Sequence, residues 1–315
     1  MTMTEAPVRV CVVGCGAIGS LYAAHLAQLP GVEVWAYDRA REHVDAINRD
    51  GLHIVGAERL TARIAARTDA GEIPSCEFGI FATKGTATEA AITSTQRIFF
   101  DGAVCSVQNG IGNEEIIARY VPRVIRGVTL PAGRVVEPGV VHMDAPGPTW
   151  IGPYEPRPEV DPDVERLAAL LTAGGMETRA HADVRGAQWT KLLFNASTNP
   201  LCALTGLTHG QLCDFAPTRT LAGMLIDEGE RIAAALGIEL DDDPRRLIDD
   251  AARTNHDHVP SMLQDVMAHR RTEIATLNGG IVDAASRIGL DAPSHAMIVK
   301  LIAGLEHGWA TGANP

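Results

Sequence analysis

Residues Val8 to Gly19 read VRVCVVGCGAIG, a short β-branched run that meets a glycine turn and then the start of a helix. Val8, Val10, Val12 and Val13, with Cys11 among them, suit a parallel strand covered on both faces. Gly14, Gly16 and Gly19 complete G-x-G-x-x-G. In that pattern the first glycine permits a tight turn, the second lets a pyrophosphate approach the backbone, and the third lets the new helix pack on the strand. The phosphates would rest on free N–H groups at the helix start, so Gly14, Gly16, Ala17, Ile18 and Gly19 are candidate cofactor-binding residues. Leu21 to Leu29 continues as an alanine- and leucine-rich helix. Val32 to Tyr37 then supplies a second strand ending at Asp38, ~20 positions beyond the glycines, where a ribose-binding carboxylate is expected. The stretch predicts a dinucleotide-binding βαβ unit. The alternative is an α/β domain whose glycines serve the turn alone.

Working outward, Ala40 to Asp50 reads as a helix, and Leu52 to Val55 with Leu60 to Ala65 as a return strand pair. Phe78 to Ala82, FGIFA, is a further buried strand that delivers Thr83 and Lys84 to its carboxyl end. Ligands of doubly wound sheets bind at that edge, which makes Lys84 a candidate cofactor residue. Thr86 to Ile98 is helical. The strand Ala103 to Val107 brings Gln108, Asn109, Gly110 and Gly112 to the same edge. Asn109 precedes glycine, so it either makes a turn or binds a ligand. Glu114 to Tyr120 reads as helix and Val124 to Thr129 as strand. From Gly133 to Gly152, Val-rich runs punctuated by Gly and Pro predict antiparallel strands added to the sheet, turning at Pro138-Gly139. Asp163 to Ala173 is a helix and Thr178 to Ala182 a last extended piece. Beyond Asp183 only helical spacing remains, punctuated by Gly237, Gly289, Pro200, Pro244, Pro260 and Pro293. The expected organisation is an α/β domain over residues 1–182 and an all-α domain over 183–315.

A chain of 315 residues, 46% apolar, is long enough for two domains and a large core. Its net charge of −12 argues against nucleic acid or an anionic membrane surface as the main partner. No apolar run reaches the ~18 residues of a span, and the opening MTMTEAPVRV has neither a basic start nor an apolar signal core. Six scattered cysteines read as reduced, mostly buried thiols, as expected of a cytoplasmic protein. His256 and His258 lie close together without a third ligand nearby, so no metal site is expected.

The helical half carries the residues suited to chemistry. In QWTKLLFNASTNP, Gln188 to Pro200, Lys191, Asn195 and Asn199 recur every fourth residue and share one helix face within ~80°. Leu192, Leu193 and Phe194 predict burial, and a buried lysine has a lowered pKa that suits proton transfer near neutrality. A solvated stripe, or amides pinning neighbouring helices, would show the same spacing. Pro200 is expected to end or kink this helix at Asn199. A second cluster lies in HVPSMLQDVMAHRRTEIATLNGG, expected to be helical from Ser261 through Arg271 and on toward Ile288. Ser261 is placed to cap its helix. Glu273 is either an acid-base group or a partner for the preceding basic face.

Taken together, GCGAIGS, ATKGTATEAA, VQNGIGNEE, GVVHMDAPGPTWIG, WTKLLFNASTNPLCALTG and PSMLQDVMAHRRTEIATLNG resemble the ketopantoate reductase family over nearly the whole chain. The last two motifs are more specific than the glycine turn. The resemblance implies a Rossmann-type domain followed by an all-α domain like that of 6-phosphogluconate dehydrogenase, with the site in the cleft between. It implies Lys191 as general acid with Glu273 beside it, and Asn109, Asn195, Asn199 and Ser261 as residues that hold substrate or orient cofactor. Lys84 matches a cofactor-side lysine. The implied reaction is NADPH-dependent reduction of the small 2-keto acid 2-dehydropantoate, a step of pantothenate biosynthesis. Family members usually contact the 2′-phosphate of NADP with a basic residue after the second strand. Arg39 occupies that place, but Asp38 precedes it, and a carboxylate there favours the ribose hydroxyl of NAD. NADP is expected, with weakened discrimination against NAD. Another small 2-keto acid, or a non-catalytic dinucleotide sensor, would fit the same glycine turn. The apolar C-terminal helices would allow a homodimer, and ordinary core packing would explain them equally well.

Overall fold

The computed structural model describes residues 6–311, with side chains through Trp309; the opening residues 1–5, read above for a leader, lie outside them. The chain divides into two compact units, Met1–Gln108 with Asn113–Val184, and Asn109–Gly112 with Arg185–Pro315.

The first unit begins β1 (Val8–Val13), α1 (Ala17–Leu26), β2 (Val32–Tyr37), α2 (Arg41–Asp50), β3 (Leu52–Gly56), β4 (Leu60–Ala62) and β5 (Ala65–Arg67). It continues β6 (Phe78–Phe81), α3 (Thr88–Thr95), β7 (Ala103–Ser106), α4 (Asn113–Ile117) and β8 (Val124–Thr129). Then come β9 (Ala132–Glu137), β10 (Val140–Ala145), β11 (Thr149–Pro153), α5 (Pro162–Ala173) and β12 (Thr178–Ala180). The main sheet runs β12-β11-β8-β7-β6-β1-β2-β5. Its strands from β5 to β8 are parallel, and β11 returns antiparallel to β8. This is the Rossmann order, with the switch point between β1 and β6. Val10 to Val13 and all of β6 and β7 are buried, as strands covered on both faces must be.

Two readings change here. The Gly133 to Gly152 strands do not all join the main sheet: β9 and β10 form a second, four-stranded sheet in the order β4-β3-β10-β9, and β11 alone joins the first. The segment 60–65 also divides, β4 pairing antiparallel with β3 while β5 leaves to pair with β2. The cause lies in α1, whose residues Gly19 through Leu26 are all buried. A helix buried on every side needs cover on every side, and its two buried polar side chains, Ser20 and His25, are each hydrogen-bonded. Burying Leu21, Leu26 or Tyr22 contributes ~1.5–3 kcal/mol each. Strands β1 and β2 cover one side of α1, and β3, β4, β9 and β10 cover the other.

The second unit holds α6 (Arg185–Thr205), α7 (His209–Asp214), α8 (Ala216–Ala235), α9 (Pro244–Thr254), α10 (Ser261–Met267), α11 (Asn278–Arg287) and α12 (Pro293–Thr311). Helix α6 packs against α7, α8, α9, α10 and α12, and its Leu192, Leu193 and Ala196 join Leu225, Ile232, Ile281 and Ile302 in one core.

Pro200 does not end α6, which runs on to Thr205. Proline removes the donor that would serve the Ala196 carbonyl, and Asn278 Nδ2 supplies one instead at 2.9 Å. The expected helix from Ser261 to Ile288 is interrupted between Met267 and Asn278. There His269 has φ +50°, and Glu306 captures both the N–H and the hydroxyl of Thr272, at 2.9 and 2.7 Å. Ser261 makes no cap bond, because Pro260 holds the N-cap position. Helix α7 was not expected; Thr208 and Gln211 start it with a capping box, a signature that THGQ displays in the sequence. All six cysteines are buried thiols. Among the described residues no helix is long and apolar enough to cross a membrane.

Candidate functional site

In the first unit the glycine turn has the three distinct environments its motif calls for. Gly14 adopts φ +88°, and a Cβ there would lie 2.7 Å from the Thr83 nitrogen. A Cβ on Gly19 would lie 2.0 Å from the Gly14 carbonyl oxygen, so helix and turn touch backbone to backbone. Around Gly16 a Cβ would meet nothing within 4 Å, so the backbone there is open to a ligand as the motif requires. Helix α1 starts there with no acidic residue in its first turn and no side-chain cap. The N–H groups of Ala17, Ile18 and Gly19 therefore present partial positive charge without a competing carboxylate. This cradle fits a dinucleotide.

Asp38 follows β2, and its Oδ1 accepts the Ala40 N–H at 2.8 Å, so part of the carboxylate is spent on launching α2. Arg39 is exposed, and its guanidinium has no partner among the described residues. Lys84 is exposed after β6, heading the short 3-10 turn Gly85–Ala87. Sequence reading missed the buried network that shapes this edge. Gln108 Nε2 donates to the Thr83 carbonyl at 3.0 Å and the Thr88 hydroxyl at 2.8 Å, and Thr88 Oγ1 lies 2.9 Å from Asn113 Oδ1. A polar residue ending a buried strand was the available signal.

In the second unit the loop Asn109–Gly112 meets α6 and the turn before α11. Gly110 has φ +83°, and a Cβ there would lie 2.2 Å from the Thr276 carbonyl oxygen, while Ile111 N donates to that same oxygen at 3.0 Å. So held, Asn109 lies between two charges. Its Oδ1 accepts from Lys191 Nζ at 2.8 Å, and its Nδ2 donates to Glu273 Oε2 at 3.3 Å. Lys191 and Glu273 are both half-buried. Burial pushes the Lys191 ammonium down to about 8, while the Glu273 charge works in the opposite direction. Gln188 Nε2, one turn earlier on α6, lies 3.5 Å from the Gly110 carbonyl.

Asn195 is half-buried and Asn199 buried on the same helix. Ser261 is exposed at the start of α10, which packs on α6. The structure thus brings Asn109, Lys191 and Glu273 into one hydrogen-bonded set and keeps Asn195 and Asn199 on the helix that carries it. An ammonium of lowered pKa, balanced by a carboxylate through an amide, can donate a proton to a developing alkoxide.

Two family models match this chain, ketopantoate reductase PanE/ApbA over residues 10–156 and its C-terminal model over residues 183–306. The chain belongs to the ketopantoate reductase family. A 2-dehydropantoate 2-reductase of Pyrococcus horikoshii is 34% identical over 297 residues, covering 93% of this chain and 96% of the relative. A PanE/ApbA family ketopantoate reductase structure from Ralstonia eutropha is 28% identical with a TM-score of 0.86, covering 95% of this chain and 99% of that one. D-mandelate dehydrogenase in complex with NADH is 25% identical with a TM-score of 0.85, covering 96% and 99%. The family thus carries both the Rossmann fold of the first unit and the helical fold of the second.

Proposed function

We propose that this chain reduces 2-dehydropantoate to pantoate with NADPH. The observation that carries the reading is the Lys191–Asn109–Glu273 set, in which a lysine brought to about 8 by burial is held by an amide that also binds a carboxylate. NADPH, when bound at the glycine turn, supplies the hydride that reduces the keto carbon. The N–H groups at the head of α1 would hold its pyrophosphate, and Arg39 would take the 2′-phosphate. Lys191 would stabilise the negative charge growing on the keto oxygen and then give that oxygen its proton, which becomes the O–H of the product's secondary alcohol. Glu273 and Asn109 keep the lysine charged and aimed until that transfer. The neutral amine then recovers a proton from solvent. Asn195, Asn199 and Ser261 bind the carboxylate and hydroxyl of the small acid.

The choice of NADPH rests on Arg39 and on Asp38, whose carboxylate is partly engaged by its own turn. A second reading, reduction of a different 2-keto acid with NADH, draws support from the likeness to D-mandelate dehydrogenase with NADH. Steady-state oxidation of NADPH and NADH against a panel of 2-keto acids, phenylglyoxylate included, separates the two. The proposal expects the highest kcat/KM for 2-dehydropantoate with NADPH. A higher value for an aromatic keto acid with NADH would replace it with the second reading, and binding without turnover on any acid would leave a sensor.

A further inference from the structure

Pro200 leaves the Ala196 carbonyl without a helical donor, and the repair involves a directed chain of buried groups. Asn278 Nδ2 donates to Ala196 O at 2.9 Å and also lies 3.0 Å from His295 Nδ1. His295 Nε2 lies 3.0 Å from the Leu225 carbonyl. A carbonyl only accepts, so Nε2 carries the ring proton and Nδ1 is the acceptor for Asn278. Asn278 and His295 are both 0% exposed. Their neutral, fixed arrangement leaves the amide one orientation.

The bond joins two places that matter for the reaction. Ala196 stands between Asn195 and Asn199, one turn before the proline that leaves its carbonyl unserved. Asn278 opens α11 at the end of the turn that begins with Glu273 and whose Thr276 carbonyl anchors the Asn109 loop.

We propose that Asn278 is a positioning residue for the keto-acid site: its amide replaces the donor that Pro200 lacks and so fixes the backbone of Asn195 to Asn199 relative to the Glu273 turn. The inference rests on the reading of Asn195 and Asn199 as keto-acid ligands. Losing a buried hydrogen bond that aims two ligands is expected to cost about tenfold in their affinity.

The test compares Asn278→Ala, Pro200→Ala and the double variant. Asn278→Ala should raise the KM for 2-dehydropantoate about tenfold while the KM for NADPH stays within about twofold. In the double variant the Pro200→Ala change restores a backbone N–H that can reach the Ala196 carbonyl, so the keto-acid KM should return to that of Pro200→Ala alone. A structural Asn278 would instead lower the melting temperature and the active fraction with KM unchanged; that result, or a double variant whose KM stays high, overturns the proposal. The near-isosteric Asn278→Leu repeats both arms without opening a cavity. Asn195→Ala separates the two levels. If it leaves the keto-acid KM unchanged, the ligand reading fails; if it raises KM while Asn278→Ala does not, only the positioning role fails.

Discussion

At the glycine turn one unbroken stretch from Val8 to Gly19 does the work, mostly through backbone, whereas at Lys191 three side chains from distant parts of the chain meet. Asn109 stands 82 positions before Lys191 and 164 before Glu273. The first construction depends on what is missing, since a Cβ at Gly14 or Gly19 would strike backbone atoms and one at Gly16 would fill open space. The second depends on what is present, a cation and a carboxylate bridged by one amide. A backbone site tolerates changes beside it and fails when a methyl is added to it. A side-chain site fails when a group is taken away.

The largest expected effect is on the side-chain site. Lys191→Ala should lower kcat by ~10² or more, with cofactor affinity nearly unchanged. The wild-type acid must be protonated for reduction, so kcat/KM for the keto acid should be level below about pH 8, where burial places the Lys191 ammonium, and fall as pH rises beyond it. The variant should lose that break, and a break that survives would assign it to another group. Next comes the contrast within the glycine turn. Gly16→Ala should raise the KM for NADPH about tenfold by blocking the pyrophosphate, with an unchanged melting temperature. Gly19→Ala should cost ~1–3 kcal/mol of stability, because its methyl overlaps the Gly14 carbonyl. Equal melting temperatures for the two would remove the distinction drawn between them. Arg39→Ala should weaken NADPH several-fold and leave NADH unaltered, as expected for one exposed charge on a 2′-phosphate; equal losses for both cofactors would take Arg39 off the phosphate. Smallest is Ser261→Ala, expected to change stability by less than ~0.5 kcal/mol because its hydroxyl caps nothing. A melting temperature clearly lowered would restore the cap.

The same contrast explains how much could be read from the chain alone. The βαβ unit was legible because strand pattern, glycine spacing and Asp38 are all local. That burial would lower the pKa of the Lys191 ammonium was legible from its neighbours Leu192 and Leu193. Its bond to Asn109 was not, since no spacing rule connects a loop after a strand with a helix so much later. The fate of Pro200 was hidden for the same reason, the missing donor coming from Asn278 across the unit. The second sheet was misplaced because alternation and turns mark strands but do not say which sheet receives them. Only the mostly apolar run LYAAHL in α1, with no charged face, hinted that another layer was required.

That layer fixes the helix whose head the proposal gives to the phosphates. With strands on both sides, α1 has no wet face along which to slide or fray, and its amides should be among the slowest in the chain to exchange hydrogen. The charge array at its head is therefore rigid before any dinucleotide arrives. Association then needs little remodelling of the helix, which favours a nucleotide pocket already formed in the empty enzyme.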